Sequence, residues 1–88
     1  MNINKALRYI RRFAGITQTD LNERLSRGHA WANKVEKDEH TVELQTLELY
    51  AKAFDIPLYK IIKFAEVIDE CTEEFSALLT FASIYMEE

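Results

Sequence analysis

The side chains best suited to chemistry in this sequence lie in one polar run, SRGHAWANKVEK, at residues 26–37. Histidine and lysine can donate hydrogen bonds to guanine N7 and O6, and asparagine can pair bidentately with adenine. The pattern predicts a helix over about 29–37, yet this helix offers only Ala32, Val35 and part of Trp31 to a core. A helix with so little apolar surface is better suited to contacting a partner than to filling the core of a small protein.

Basic residues are concentrated in the part of the chain that includes this run. Residues 1–37 hold eight basic and three acidic side chains, a net charge of +5, whereas residues 38–88 hold three basic and twelve acidic, a net charge of −9. The formal net charge of −4 hides this asymmetry. Because a basic end attracts phosphate, the pattern favours nucleic acid as a partner. Solvated helix faces that happen to cluster are the alternative.

The composition is typical of one folded, helix-rich domain. Hydrophobic residues make up 48% and charged residues 30%, with two glycines and one proline. A chain this short builds a small core, so surface contributed by a second chain would stabilise it. Cys71 is the single cysteine and no signal peptide precedes Lys5, which favours a cytoplasmic location. The apolar run 75–86 is too short to span a bilayer, so no membrane partner is expected.

No group of residues predicts catalysis. His29 and His40 have no cysteine or carboxylate at metal-ligand spacing, and Cys71 has no base nearby in a recognisable motif. The sequence also lacks a glycine-rich phosphate loop. It therefore predicts neither an enzyme nor a cofactor or metal site.

Apolar residues at helical spacing predict five helices before residue 68. Gly15 is suited to ending the first helix, Thr17 to capping the second and Pro57 to the first turn of the fifth. The approximate bounds are 3–14, 18–25, 29–37, 43–54 and 58–67.

A further helix is predicted within residues 69–88, and it is apolar over more than one face. A 3-4 alternation of the kind by which helices pair runs from Ile61 to Tyr85, although the stretch 69–72 could interrupt the helix. One apolar face can pack on the chain's own core, and the other is best explained by a second subunit. Packing of both faces inside one chain is the alternative. The predicted dimer interface consists of Phe64, Ile68, Cys71, Phe75, Leu78, Ala82 and Tyr85.

Two short helices joined by a tight turn, the second with few apolar residues, are typical of a helix-turn-helix. Over residues 5–62 the sequence also resembles the helix-turn-helix family of lambda repressor and Cro. The resemblance rests on fragments at fixed mutual spacing: GITQTDL at 15–21, Leu25, KVEK at 34–37, LQTL at 44–47 and YAKAFDIP at 50–57.

The resemblance implies a role for individual residues. Positions that face base edges in the family are occupied here by His29, Ala30, Asn33 and Lys34. Candidates for the sugar-phosphate backbone are Gln18, Arg27, Trp31, Lys37, Arg8 and Arg12. Arg11 and Glu36 occupy positions where many members pair an Arg with a Glu, so both are expected to be structural. For Trp31 the alternative is that its ring packs over the turn and compensates for the small Ala32.

The sequence departs from the family pattern at the turn. Asn22 stands where the family usually has alanine, Ser26 where it has glycine, and Arg27 where it has an apolar residue. Gly28 is expected to restore the lost backbone freedom.

Together these features predict an all-α fold, with a five-helix lambda-repressor-like domain at 1–68 and a C-terminal dimerisation helix within 69–88. The function they favour is that of a homodimeric, sequence-specific DNA-binding regulator of the bacterial or phage type, most simply a repressor of a near-palindromic operator. The alternative is a protein-interaction module, of antitoxin or anti-repressor type, that uses its acidic, apolar C-terminal helix and binds DNA weakly or not at all.

Overall fold

A computed structural model of the protein describes residues 1–38 and 40–87, and within them it contains six α-helices and no strand. The prediction of an all-α fold is confirmed. A 3₁₀ turn, Ile68–Glu70, follows the fifth helix. The helices are α1 (Ile3–Phe13), α2 (Gln18–Arg24), α3 (Trp31–Val35), α4 (Leu44–Phe54), α5 (Leu58–Val67) and α6 (Glu74–Met86).

Local signals in the sequence account for both ends of α1 and for the start of α2. The side chain of Asn2 accepts a hydrogen bond from the backbone N–H of Lys5 at 3.0 Å and caps α1. Thr17 caps α2 in the same way, accepting from the N–H of Asp20 at 3.1 Å. Gly15 takes a left-handed φ of 74° after α1, which its missing Cβ permits. These caps satisfy backbone donors that a helix leaves unpaired at its start.

One hydrophobic core includes residues from all six helices. Leu7 and Ile10 of α1, Ile61 and Phe64 of α5, and Phe81 of α6 are fully buried in it. The rings of Phe64 and Phe81 pack with centroids 5.1 Å apart. Helix α6 lies against α1 and α5, so residues after 68 share the core of the residues before them.

The C-terminal segment corrects part of the predicted dimer interface. Phe64 and Ile68 are fully buried and Cys71 is 9% exposed, so these three belong to the core of the single chain. Of the two possibilities left open for residues 69–72, the structure shows the interruption: the 3₁₀ turn and residues 71–73 separate α5 from α6, so the 3-4 alternation does not continue along one helix. Of the remaining predicted residues, Phe75 and Tyr85 are exposed, and Leu78 and Ala82 are half-buried.

The exposed apolar face of α6 is formed partly by other residues than the predicted ones. Phe75, Leu79 and Met86 are 71%, 56% and 78% exposed, and with Ala82 they follow a spacing of four, three and four residues. Residues at this spacing share one side of a helix. This surface of α6, which we call the α6 stripe, comprises Phe75, Leu79, Ala82 and Met86.

Within residues 1–38 and 40–87, none of the helices combines the length and the apolar character needed to cross a bilayer.

Candidate nucleic-acid interface

Helix α3 begins two residues later than the sequence predicts. His29 and Ala30 lie in the turn before the helix, and α3 itself spans Trp31–Val35. The predicted helix of nine residues is therefore a helix of five. His29 and Ala30 are still exposed, but they are presented by the turn between α2 and α3 and not by the first positions of the helix.

Asn22 of α2 caps the start of α3 in place of a neighbouring residue. Ala30 occupies the capping position and has no side-chain oxygen to offer. Instead Oδ1 of Asn22 accepts a 2.8 Å hydrogen bond from the backbone N–H of Ala32, and its Nδ2 donates at 2.8 Å to the carbonyl of His29. Asn22 is 4% exposed. A residue that departs from the family pattern thus joins α2 to the start of α3.

Ser26, not Gly28, supplies the left-handed residue of the turn. Its φ is 53°, a conformation that costs a residue with a Cβ more than it costs glycine. Gly15 is the glycine with positive φ in the described residues, so the expectation that Gly28 restores this freedom is wrong.

The two sides of α3 differ in burial as its sequence predicts. Ala32 and Val35 are 0% and 4% exposed and attach the helix to the core. Asn33 and Lys34 are exposed on the outer side, and so are Arg27 and Lys37 at either end. The outer surface of α3 and of the residues on either side of it, which we call the α3 surface, comprises Arg27, His29, Ala30, Asn33, Lys34 and Lys37.

A buried hydrogen-bonded ion pair holds the end of α3 against α1. Nε and Nη2 of Arg11 donate to the carboxylate of Glu36, with the shortest contact 2.9 Å, and the two side chains are 8% and 1% exposed. Nη1 of Arg11 donates at 2.7 Å to the carbonyl of Ile16. The structure thus brings together the two residues whose pairing the resemblance implies.

Two further side chains complete the contacts of the Glu36 carboxylate. The hydroxyl of Tyr50 donates to it at 2.8 Å, and Nε2 of Gln18 donates at 3.2 Å. Burial, together with the negative charge of Glu36, raises the pKa of Tyr50 far above its usual range. The hydroxyl therefore remains a donor, and the four side chains join α1, α2 and α4 to the end of α3.

Asn4 adds a second brace at the same end of α3. Its Nδ2 donates to the carbonyl of Val35 at 2.8 Å and to that of His40 at 2.7 Å. Sequence reasoning missed the roles of Asn4, Asn22 and Tyr50, because an isolated amide or a tyrosine at an apolar position carries no local pattern. The one available signal was that Asn22 departs from the small residue usual in the resembled family.

An open cleft of about 870 Å³ lies beside this network and is rich in basic and polar groups. Its wall includes Arg8, Arg12 and Lys37, and Thr17 and Gln18 from the start of α2. Guanidinium, ammonium and amide groups of this kind bind phosphate oxygens. The other lining residues are Arg11, Thr19, Asn33, Glu36 and Asp38.

The two arginines of α1 predicted to contact the backbone already have partners in the chain. Arg8 donates at 2.6 Å to the carbonyl of Glu36 and lies 3.5 Å from Asp38. Arg12 forms an ion pair with Glu74 of α6 at 3.1 Å. Both pairs include an exposed carboxylate, and exposed ion pairs contribute little to stability, so replacing either of them by a phosphate contact would cost little.

Trp31 packs against the core and also contacts an exposed cation. Its half-buried ring lies 5.9 Å from that of Tyr50, and the guanidinium of Arg27 lies over the ring, 5.5 Å from its centroid. Trp31 thus packs on a core residue of α4, and its two predicted roles, on the DNA backbone and over the turn, stay predictions.

No protein-family model, curated protein or solved structure matches this chain. Among the described residues no group of histidine, cysteine, aspartate or glutamate side chains is placed to hold a metal ion. The interface is therefore interpreted from its own residues.

Proposed function

We propose that this protein is a sequence-specific DNA-binding regulator, with α2 and α3 forming a helix-turn-helix of the lambda repressor and Cro type. The observation that carries the proposal is the way α3 is held. Its inner side is fixed by Ala32, Val35 and the buried Arg11–Glu36 pair, while its outer side is polar and exposed. A rigid helix with a polar outer face can enter the major groove of DNA.

The chemistry of the α3 surface suits base recognition. Lys34 can donate to guanine, and the amide of Asn33 can pair with adenine, each good bidentate contact discriminating by about 1–3 kcal/mol. His29 and Ala30, presented by the turn, would reach neighbouring bases. Arg27, Lys37 and the wall of the basic cleft would then contact phosphates on either side of the groove.

Selection of bound duplexes from a random pool tests this proposal. We expect enrichment of a defined sequence, and an affinity that falls roughly tenfold to a thousandfold between 50 and 200 mM salt. Lys34→Ala should weaken binding and relax the preference at one position. Lys52→Ala, which removes another exposed lysine, from α4, is the matched control. Failure of every duplex to bind at 50 mM salt would refute the proposal, and equal losses for the two variants would reduce it to general charge attraction.

The regulator is proposed to act as a homodimer through the α6 stripe. Residues 75–86 contain no charged side chain, although much of this face is exposed. Two acidic groups at the ends of α6 are paired within the chain, Glu74 with Arg12 and Glu87 with Lys63, which reduces the repulsion between two copies. To bind the two halves of a near-palindromic operator, this dimer has to place its two α3 helices about 34 Å apart.

Sedimentation of a Leu79→Asp variant tests the dimer. We expect the wild-type chain to be dimeric and Leu79→Asp to be a folded monomer, because the charge would be buried at the contact. Leu44→Asp, at a leucine 60% exposed on α4, should remain dimeric. A wild-type monomer, or a dimeric Leu79→Asp variant, would exclude this interface.

The exposure of the α6 stripe also favours a second candidate function, a module that binds another protein and not DNA. Phe75 and Met86 are more than two thirds exposed, and acidic residues lie before α6 at 69, 70 and 73 and at its first position, 74. On this alternative the wild-type chain is a monomer that retards no duplex at low salt. The selection and the sedimentation experiments together separate the two functions.

A further inference from the structure

Arg27, Trp31 and Tyr50 form a row that leads from the surface into the core. The Arg27 guanidinium lies 5.5 Å from the centroid of the Trp31 ring, and the Trp31 ring lies 5.9 Å from that of Tyr50 at an interplanar angle of 31°. Tyr50 is fully buried and its hydroxyl is bonded to Glu36 at 2.8 Å. The inner end of the row is therefore fixed by the ion-pair network, and the outer end is an exposed cation.

The row ends at the start of α3, between two clefts. Arg27 lines a cleft of about 320 Å³ together with Trp31, Lys34 and Thr46, and also a smaller one of about 190 Å³ with Asn22 and His29. A guanidinium at this place can present its donors to an anion beside α3. Its planar fork matches phosphate oxygens bidentately, but only when the long side chain is held in one orientation.

An aromatic face supplies that orientation. A guanidinium over a tryptophan ring is attracted by the ring quadrupole and can stack on it while its N–H edges stay available to other acceptors. Because Trp31 is itself packed on Tyr50, the platform is rigid. Less rotamer freedom is then lost when Arg27 binds an anion.

We propose that Trp31 is a positioning residue, whose ring holds the Arg27 guanidinium for a contact with a phosphate of the DNA backbone. This inference rests on the proposed DNA-binding function. It gives one ring two tasks, since the ring that packs on Tyr50 would also act on the DNA backbone through Arg27. On this proposal, the apolar residue of the resembled family is replaced by Arg27 because the Trp31 ring holds a cation that contacts phosphate.

A double-mutant cycle on a selected duplex tests the inference. Trp31→Leu keeps an apolar cover over Ala32 and Tyr50 but removes the aromatic face, and Arg27→Ala removes the cation. We expect each single variant to weaken binding several-fold to about tenfold and to reduce the slope of log K against log salt by about one per subunit. The double variant should bind no more weakly than Arg27→Ala alone, because the two residues act as one unit.

Two controls separate positioning from a merely structural role. Thermal unfolding of Trp31→Leu reports stability, which a structural residue would lower without changing the salt slope. Arg27→Lys keeps the charge but loses the planar fork, so it should recover the slope and only part of the affinity. Additive losses in the cycle, or an unchanged slope for Trp31→Leu, would overturn the inference while wild-type binding still stands. Absence of binding by the wild-type chain would instead refute the proposed function, and the inference with it.

Discussion

Replacing Glu36 by Gln should remove a large share of the stability of this protein. The substitution keeps the shape of the side chain but removes the charge that faces Arg11, and Arg11 is 7% exposed with its Nε 2.9 Å from the carboxylate. Leaving a buried charge without its partner costs about 3–5 kcal/mol. Proteins of this kind are stable by only about 5–15 kcal/mol. A protein at the lower end of that range would keep only about 0–2 kcal/mol after the substitution.

Urea unfolding followed by circular dichroism measures this effect. With a urea dependence of about 1.5 kcal/mol per M, the midpoint for Glu36→Gln should fall by roughly 2–3 M. Glu48→Gln is the matched control, since Glu48 is an exposed carboxylate on α4 and should shift stability by less than about 0.5 kcal/mol. If Glu36→Gln lost less than about 1 kcal/mol, the pair would not be the element that holds the end of α3.

Three further substitutions test separate features. Ser26→Gly should raise the free energy of unfolding by about 1 kcal/mol in thermal unfolding, because glycine adopts a left-handed φ without strain. The control Ser83→Gly, within α6, should lower it by about 0.5 kcal/mol. A loss of stability in Ser26→Gly would contradict the turn geometry. Glu74→Gln frees Arg12 and should tighten DNA binding, measured by fluorescence anisotropy, by up to about fivefold. Glu70 is also exposed, and an equal gain for Glu70→Gln would show that only the net charge matters. Tyr50→Phe should make stability less dependent on pH in alkaline solution. The raised pKa of Tyr50 keeps its hydroxyl protonated in the folded protein, whereas the same hydroxyl ionises in the unfolded chain. The wild-type contribution of Tyr50 is therefore complete below pH ~10 and falls above that pH by about 1.4 kcal/mol per pH unit. Equal pH dependence in the two proteins, measured by urea unfolding, would contradict the buried hydroxyl.

Helices with a complete apolar face could be predicted from the sequence to within about one residue. The predicted 58–67 agrees with α5, and 3–14 and 43–54 differ from α1 and α4 by a single residue at one end. The end of α1 and the start of α5 carry local signals, Gly15 and Pro57 respectively. Local spacing and local caps were sufficient in these cases because both act within one turn of the chain.

Features that depend on distant residues could not be predicted in the same way. The start of α3 is set by Asn22, ten residues before the N–H that it accepts from, so residues 29–30 read as helix when they are a turn. Which residues of α6 are exposed depends on where the helix starts, because the 3₁₀ turn at Ile68–Glu70 breaks the helical spacing that continues from α5. The Tyr50 hydroxyl donates a hydrogen bond to Glu36, fourteen residues away in the sequence. The helical spacing predicts only that the Tyr50 ring is an apolar core residue.

The way α3 is held has a consequence for how this protein could evolve. Its fixing contacts are made by Ala32, Val35 and Glu36 together with side chains from other helices, and none of them involves the exposed Asn33 or Lys34. Exposed positions that take no part in packing tolerate substitution at little cost in stability. The outer residues of this helix can therefore diverge, or be varied in a library, while the scaffold beneath them stays intact. A new recognition preference would not need a new fold.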